Sequence, residues 1–433
     1  MRPFAEDKGM PKILIGFLLA MASLARGEEG WRSIDDFENP GPRLHNWVSA
    51  GANVVKALDG AREGLFALRC DPVESGAWFG VCANIEGMAA LRFWARVELE
   101  MGIEVEIRSR TAAARMWRKV DLSGPDWQEI VLPLWTFRTE GDPILSDCDL
   151  VAFRPRGTGS VWIDDLRRAQ AVEAANPLIE PLDLISQRAF GKAAGGRAET
   201  RNFRVLTNSP IDAREVADGL EDFRDLFQER MRLRKWNIEV PVTVVIHETR
   251  DEYVDFVART AREVYGGVID PKGITAGGFT FERYSCTSYD PEQGAKRPVF
   301  YHEACHQLVT QCLGLRGPNG ASWAEEGICY YLQNEYLPQA NLAEEIGNFL
   351  ENPKRPPLAS LKDTTPTTGV VNMTGLLVMA FLAEGPHSDR LAAVLAELRD
   401  GHHDLGRAVE RALEMKLDEF AAEWEAWVRE TYR

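Results

Sequence analysis

The sequence predicts a multidomain protein: an all-β sandwich, then an α+β domain with a helical C-terminal part. Three observations carry that expectation. Residues 31–170 alternate apolar and polar at period two, in short runs broken by polar turns. Beyond residue 200, strand-like runs alternate with helical periodicity, and helix then dominates to Arg433. The chain, at 433 residues, also exceeds what one hydrophobic core ordinarily serves.

At the N-terminus, Arg2, Lys8 and Lys12 precede the apolar run ILIGFLLAMASLA, residues 13–25. Ser23 and Ala25 fill the two small positions of a cleavage site, and polar residues follow. Residues 1–25 therefore read as a signal peptide, and the protein as exported: periplasmic, cell-surface or secreted. That run is too short to span a bilayer. No other stretch approaches a membrane span, so none is expected after cleavage. A formal charge of -16 repels polyanions and counts against a nucleic-acid partner.

LRFWARVELE (91–100), GIEVEIRSR (102–110), WQEIVLPL (127–134) and VWIDDL (161–166) read as half-buried antiparallel strands. The breaks are polar, such as NPGPR (39–43) and RPRGTGS (154–160). Seven cysteines leave at least one thiol without a partner in the chain. Cys70 with Cys82 is the favoured bridge of the first half, on the expectation that neighbouring strands carry them. IDDFE (34–38), WQEIVLPL and VWIDDL together resemble the jelly-roll modules of the galactose-binding and carbohydrate-binding type, over residues 31–170. The resemblance implies a glycan or cell-surface ligand and a structural Ca2+, whose nearest matching ligands are Asp36, Glu38 and Asp165. The same carboxylates also read as solvated edge residues. Trp47, Trp78, Trp94, Trp117 and Trp135 read either as a stacking platform for sugar or as core.

Residues 171–199 read as a linker, from AVEAANPLIEPLD (171–183) into KAAGGRAET (192–200). The second domain, 200–433, opens with the strand FRVLT (203–207) and a capped helix over 209–231 with Pro210 at its first position. VTVVIH (242–247) is a strand and residues 250–265 are a helix. GGFTFERYSC (277–286) and RPVF (297–300) then lead into HEACHQLVTQCLG (302–314). His302 and His306, four apart, sit one turn above each other and can aim at one zinc ion. Glu303 is turned aside beside that ion, where a base takes a proton from water. Leu308, Val309 and Leu313 form a packing stripe, and Gly314 is a natural terminator.

A catalytic zinc site takes a third protein ligand, and ASWAEEGICYYL (321–332) offers Glu325 and Glu326. Eighteen residues separate His306 from the first and nineteen from the second; spacing alone does not choose. His-Glu-x-x-His followed by Trp323-x-x-Glu326-Gly327 resembles the gluzincin zinc metallopeptidases, and over roughly 200–433 the compact gluzincin-like domains of bacterial exported proteins. That resemblance implies an exported peptidase acting on a peptide or protein substrate, with Zn2+ on His302, His306 and Glu326 and Glu303 as general base. The aminopeptidase families have one residue fewer than this chain before the ligand glutamate, which keeps Glu325 open. MTGLLVMAFLAEG (373–385) is expected behind the site and LDEFAAEWEAWVRE (417–430) as the closing helix. Related tails carry a tyrosine where this chain has GVVNMTG (369–375). Tyr330 stands where a carboxylate that orients a ligand histidine is otherwise found. Tyr331, Tyr336, His387, His402 and His403 are available for the oxyanion. The alternative is an extracellular glycan- or protein-binding protein with a structural or inactive zinc site.

Overall fold

The computed structural model describes residues 31–432 except 39–45, 58–60, 63, 111–113, 141–144, 171–175, 177, 234–237, 239, 265–267, 282–283, 316–321, 363–364, 366–367 and 401–402. The expected signal peptide lies outside the described residues. The chain divides at Lys192/Ala193 into two compact units, with Ala258–Pro271 grouped with the first.

Twelve strands are described in the first unit: Trp31–Asp35 (β1), Trp47–Ala50 (β2), Ala52–Ala57 (β3), Ala67–Pro72 (β4), Trp78–Cys82 (β5), Met88–Val97 (β6), Met101–Arg108 (β7), Arg115–Leu122 (β8), Gln128–Pro133 (β9), Arg138–Glu140 (β10), Leu150–Pro155 (β11) and Val161–Gln170 (β12). They form two six-stranded antiparallel sheets. One runs β3-β4-β12-β6-β9 with β1 also on β12; the other runs β10-β8-β7-β11-β5-β2. Period-two alternation decides what each sheet buries. Leu91, Phe93, Ala95 and Val97 of β6 and Ile103, Val105 and Ile107 of β7 share one core. Phe37, Trp47, Phe79, Phe93 and Phe153 pack there as a ring cluster with centroids 5.2 to 6.4 Å apart. Trp47 is half-buried and packs against this core, and Trp135 is buried. The expected Cys70–Cys82 bridge is not formed, because β4 and β5 lie in different sheets. All seven thiols are free.

The residues expected as linker carry a helix, Leu182–Phe190 (α1), and a strand, Gly196–Glu199 (β13). Leu182, Ile185 and Ala189 bury one side of α1, a helical stripe that the polar flanks mask in the sequence. Strand β13 is an edge strand on Phe203–Thr207 (β14). Val242–His247 (β15), Gly278–Thr280 (β16) and Tyr284–Ser288 (β17) complete a five-stranded sheet of order β13-β14-β15-β17-β16. Strands β14, β15 and β17 are parallel, and the two edges are antiparallel. GGFTFERYSC is therefore two strands of a hairpin. Helix Ala213–Arg230 (α2) starts later than expected, with Asp212 accepting from the Arg214 amide as N-cap; Pro210 precedes it.

Arg250–Glu263 (α3) follows β15, and Pro298–Leu308 (α4) packs across β15, β16 and β17. RPVF is thus the start of α4, since Pro298 needs no amide partner in the first turn. Then come Trp323–Tyr336 (α5), Leu342–Leu350 (α6), Gly369–Glu384 (α7), Leu391–Asp400 (α8), Leu405–Leu413 (α9) and Leu417–Thr431 (α10). This C-terminal part is largely helical. Helix α5 packs on both α4 and α7, and α10 packs on α7 and α9. No single helix among the described residues is long and apolar enough to cross a membrane. Helix α7 is apolar because its residues Leu377–Leu382 are fully buried. Gly327 and Gly375 sit where α5 and α7 touch. A Cβ on Gly327 would lie 2.6 Å from the Gly375 carbonyl, and one on Gly375 would lie 2.6 Å from the Trp323 carbonyl. The two backbones approach that closely only because neither residue has a side chain.

Candidate metal centre

Helix α4 is buried from Phe300 through Leu308, and its rotation is fixed by a polar side chain. Gln307 Nε2 donates to the Thr243 carbonyl at 3.2 Å and to Ser285 Oγ at 2.7 Å, tying α4 to β15 and β17. His302 and His306 lie one turn apart, edge to face, with ring centroids 4.9 Å from each other. The helix ends in a π turn, Val309–Leu313, closed by Gly314 at φ 65°.

Helix α5 brings the carboxylates. Ser322 caps it, accepting from the Glu325 amide at 3.2 Å, so both glutamates fall in the first turn. Glu326 lies 3.4 Å from His302 Nε2 through one oxygen and 3.8 Å from His306 Nε2 through the other. Donor atoms of His302, His306 and Glu326 all fall within 4.8 Å of one another. Glu325 has a different partner: its Oε1 is 2.9 Å from His306 Nδ1. One glutamate therefore faces both Nε2 atoms, and its neighbour holds the far side of one imidazole. That second contact is the carboxylate–histidine pairing that fixes the tautomer of ligand histidines.

The electrostatics are those of a cation site. Glu303, Glu325 and the two imidazoles are buried, and Glu326 is nearly so. Among the described residues no lysine or arginine forms an ion pair with these three carboxylates. Burial alone would lower the His306 pKa, yet the Glu325 hydrogen bond and the charges of Glu325, Glu326 and Glu303 raise it to about 10. Burial would raise the Glu326 carboxyl, and the two imidazoles hold it below the usual range. Three acidic groups thus compete for one positive charge. Two imidazole nitrogens and a carboxylate are the donor set that zinc favours, and the residues fit a divalent ion.

Glu303 lies beside this cluster, against edge strand β16. Thr280 Oγ1 is 2.7 Å from Glu303 Oε2 and 2.8 Å from the Glu303 carbonyl, which also accepts from Ser285 Oγ at 2.6 Å. A Cβ on Gly278 would lie 2.4 Å from Glu303 Cγ; glycine there leaves the room that the carboxylate fills. Sequence reasoning missed Thr280, Gly278 and the role of Glu325. A glycine inside a strand was the available signal for close approach at Gly278.

Tyr330, four residues past Glu326, lays its ring 4.4 Å from that of His302. His302 Nδ1 has no hydrogen-bond partner among the described residues. Of the residues available for an oxyanion, Tyr331, Tyr336 and His387 have side chains bonded elsewhere. Tyr331 donates to Glu384 at 2.7 Å, Tyr336 to the Gly219 carbonyl at 3.0 Å, and His387 pairs with Glu423 at 2.8 Å. The His403 carbonyl accepts the Trp323 indole N–H at 2.8 Å; His402 lies outside the described residues. Asn372 stands within hydrogen-bonding reach of Tyr330.

The carboxylates matched to calcium each have hydrogen-bond partners of their own. Asp36 accepts from the Glu38 amide, Glu38 from the Leu65 and Phe66 amides, and Asp165 from Arg167. Among the described residues, His302, His306 and Glu326 are the one group of three or more side chains placed to hold a metal.

No family model matches the chain, and no curated protein matches it. About a third of the chain is similar to solved carbohydrate-binding modules. The family 11 module of Clostridium thermocellum, solved with a β-1,3-1,4-mixed-linked tetrasaccharide, is 17% identical over 33% of this chain and 98% of that one, with TM-score 0.26. The C-terminal family 22 module of Clostridium thermocellum Xyn10B is 14% identical over 34% of this chain and 99% of that one, with TM-score 0.27. A family 30 module is 14% identical over 37% of this chain and 96% of that one, with TM-score 0.26.

Proposed function

We propose that the C-terminal domain is a gluzincin-like zinc site that hydrolyses peptide bonds, with His302, His306 and Glu326 as ligands and Glu303 as general base. The observation that carries the reading is the convergence of two Nε2 atoms and one carboxylate within 4.8 Å, with a second carboxylate, Glu303, held beside them. When bound, the ion supplies the Lewis acidity that activates water and polarises a carbonyl. Glu303, its Oε2 fixed by Thr280, takes the proton of the attacking water and delivers it to the departing amine. Glu325 keeps His306 oriented through Nδ1. Strand β16 pairs on one side only, with β17, and its other edge offers main-chain groups to an extended peptide. The N-terminal sequence supports export, and the sandwich is proposed as a jelly-roll module for a glycan or surface ligand.

A second reading, a zinc centre without turnover, is favoured by one observation. Where related chains place a tyrosine, this chain has GVVNMTG (369–375), with Val371 and Asn372 in that neighbourhood, and the side chains of Tyr331, Tyr336 and His387 are bonded elsewhere. Zinc-loaded protein and its Glu303→Gln variant, incubated with a mixed peptide library, decide between the two. Chelator-sensitive cleavage lost in the variant supports the peptidase; zinc retained with no cleavage by either protein establishes the binding reading.

A further inference from the structure

The outer face of sheet β10-β8-β7-β11-β5-β2 carries a cluster that the sandwich core does not require. Glu104, Arg108, Arg115, Arg154 and Arg156 line a cavity of about 380 Å³. Cross-strand register assembles them: Arg154 stands opposite Glu104, and Arg115 opposite Arg108. Glu104 and Glu106 are almost fully buried, at 2% and 0% exposure, and act as the anchors. Glu106 accepts from Arg115 at 2.5 Å and from Arg154 at 3.0 Å; Glu104 accepts from Arg115 at 2.9 Å and from Arg156.

Four guanidinium groups against the buried carboxylates of Glu104 and Glu106 and the exposed one of Glu140, which Arg115 also bonds at 2.8 Å, leave an excess of one positive charge, on a chain whose formal charge is -16. Packed apolar residues would hold a sheet face at least as well as a buried ion network, so stability alone does not call for this one. The donors are also not used up. Arg108 makes only a 3.5 Å approach to Glu106, and Arg156 bonds Glu104 through one nitrogen, while each guanidinium has five N–H groups. Two indoles lie against arginines of the cluster: Trp78 with Arg108 over it at 4.5 Å, and Trp117 with Arg115 at 5.7 Å and Arg138 at 5.2 Å.

We propose that this face binds a carboxylate-bearing saccharide, its acid group held by the arginine forks and its ring against tryptophan. Planar guanidinium pairs with carboxylate through two parallel hydrogen bonds, and indole offers the apolar surface that one face of a sugar ring covers. The inference rests on the proposed glycan role of the sandwich, which binding of the neutral glucan alone would leave standing, and it is independent of the zinc centre.

The test is titration of the full-length protein with polygalacturonate, neutral mixed-linkage glucan, inorganic sulfate and duplex DNA. Binding to polygalacturonate is expected, weaker in high salt and reduced roughly tenfold or more by Arg156→Ala or Arg108→Ala. Arg108→Lys, which keeps the charge and loses the fork, is expected between them and wild type. His306→Ala is expected to bind as wild type does. Arg156 is half exposed (51%), so its truncation leaves the sandwich folded, which circular dichroism checks. Absence of polygalacturonate binding, or binding indifferent to both alanine changes, overturns the site. Equal affinity for the neutral glucan, for sulfate or for DNA overturns the assignment to an acidic sugar.

Discussion

At the scale of single residues, the adjacent glutamates of α5 have different work. Glu326 faces His302 and His306, whereas Glu325 bonds the far nitrogen of His306 at 2.9 Å. Glu326→Gln is therefore expected to lower zinc affinity more than Glu325→Gln. Loss of an outer partner costs roughly 10- to 100-fold, and loss of a ligand exceeds that; competition with a chromogenic chelator measures both. Thr280 makes the second residue-level prediction. Thr280→Val removes the hydroxyl that fixes Glu303, so kcat should fall with zinc content and KM little changed, and Thr280→Ser should restore it. A valine variant with wild-type kcat would remove Thr280 from the mechanism. The placing of His302 and His306 on one helix face, with Glu303 between them in the chain, was legible in the sequence because i, i+4 spacing on a helix is a local property. Spacing did not choose between Glu325 and Glu326, and only the resemblance of Trp323-x-x-Glu326-Gly327 favoured Glu326, which the structure groups with the two histidines. The choice depends on how α5 is rotated against α4, and periodicity within either helix says nothing about that.

At the scale of elements, the second half of the motif is a packing device. Gly327 follows Glu326 because α5 and α7 meet backbone to backbone at Gly327 and Gly375. Gly327→Ala pushes a methyl group into the Gly375 carbonyl and is expected to cost about 1–3 kcal/mol, read by denaturant unfolding. It should also weaken zinc binding, since α5 carries Glu326. A stability within error of wild type would show that the helices can separate freely. Strands β14 and β15 were legible to the residue, as FRVLT and VTVVIH, because they are short, continuous apolar runs. Helix α1 and strand β13 were read as linker. Each is short and polar-flanked, and each is held by neighbours that local composition does not reveal.

At the scale of the molecule, two units with separate chemistry share one chain. In the sandwich, alternation revealed which faces are buried. It did not reveal which strands share a sheet, and the expected Cys70–Cys82 bridge failed for that reason. The arginine cavity was equally hidden, being assembled by register among β7, β8 and β11. The metal centre gives the whole chain a pH signature. In the metal-free protein the His306 pKa is raised above its unfolded value of about 6.5. Its contribution to stability is complete below that value and is lost as pH rises through about 10. Thermal unfolding of the metal-free protein should therefore shift to lower temperature between those limits. Bound zinc displaces that proton and should remove the shift; identical profiles with and without metal would contradict the site. The most direct test of the central claim is the zinc content of the purified, dialysed protein, measured beside His306→Ala. One zinc per chain in wild type and none in the variant is the predicted result. A folded wild-type chain that carries no zinc and takes up none on addition would contradict it.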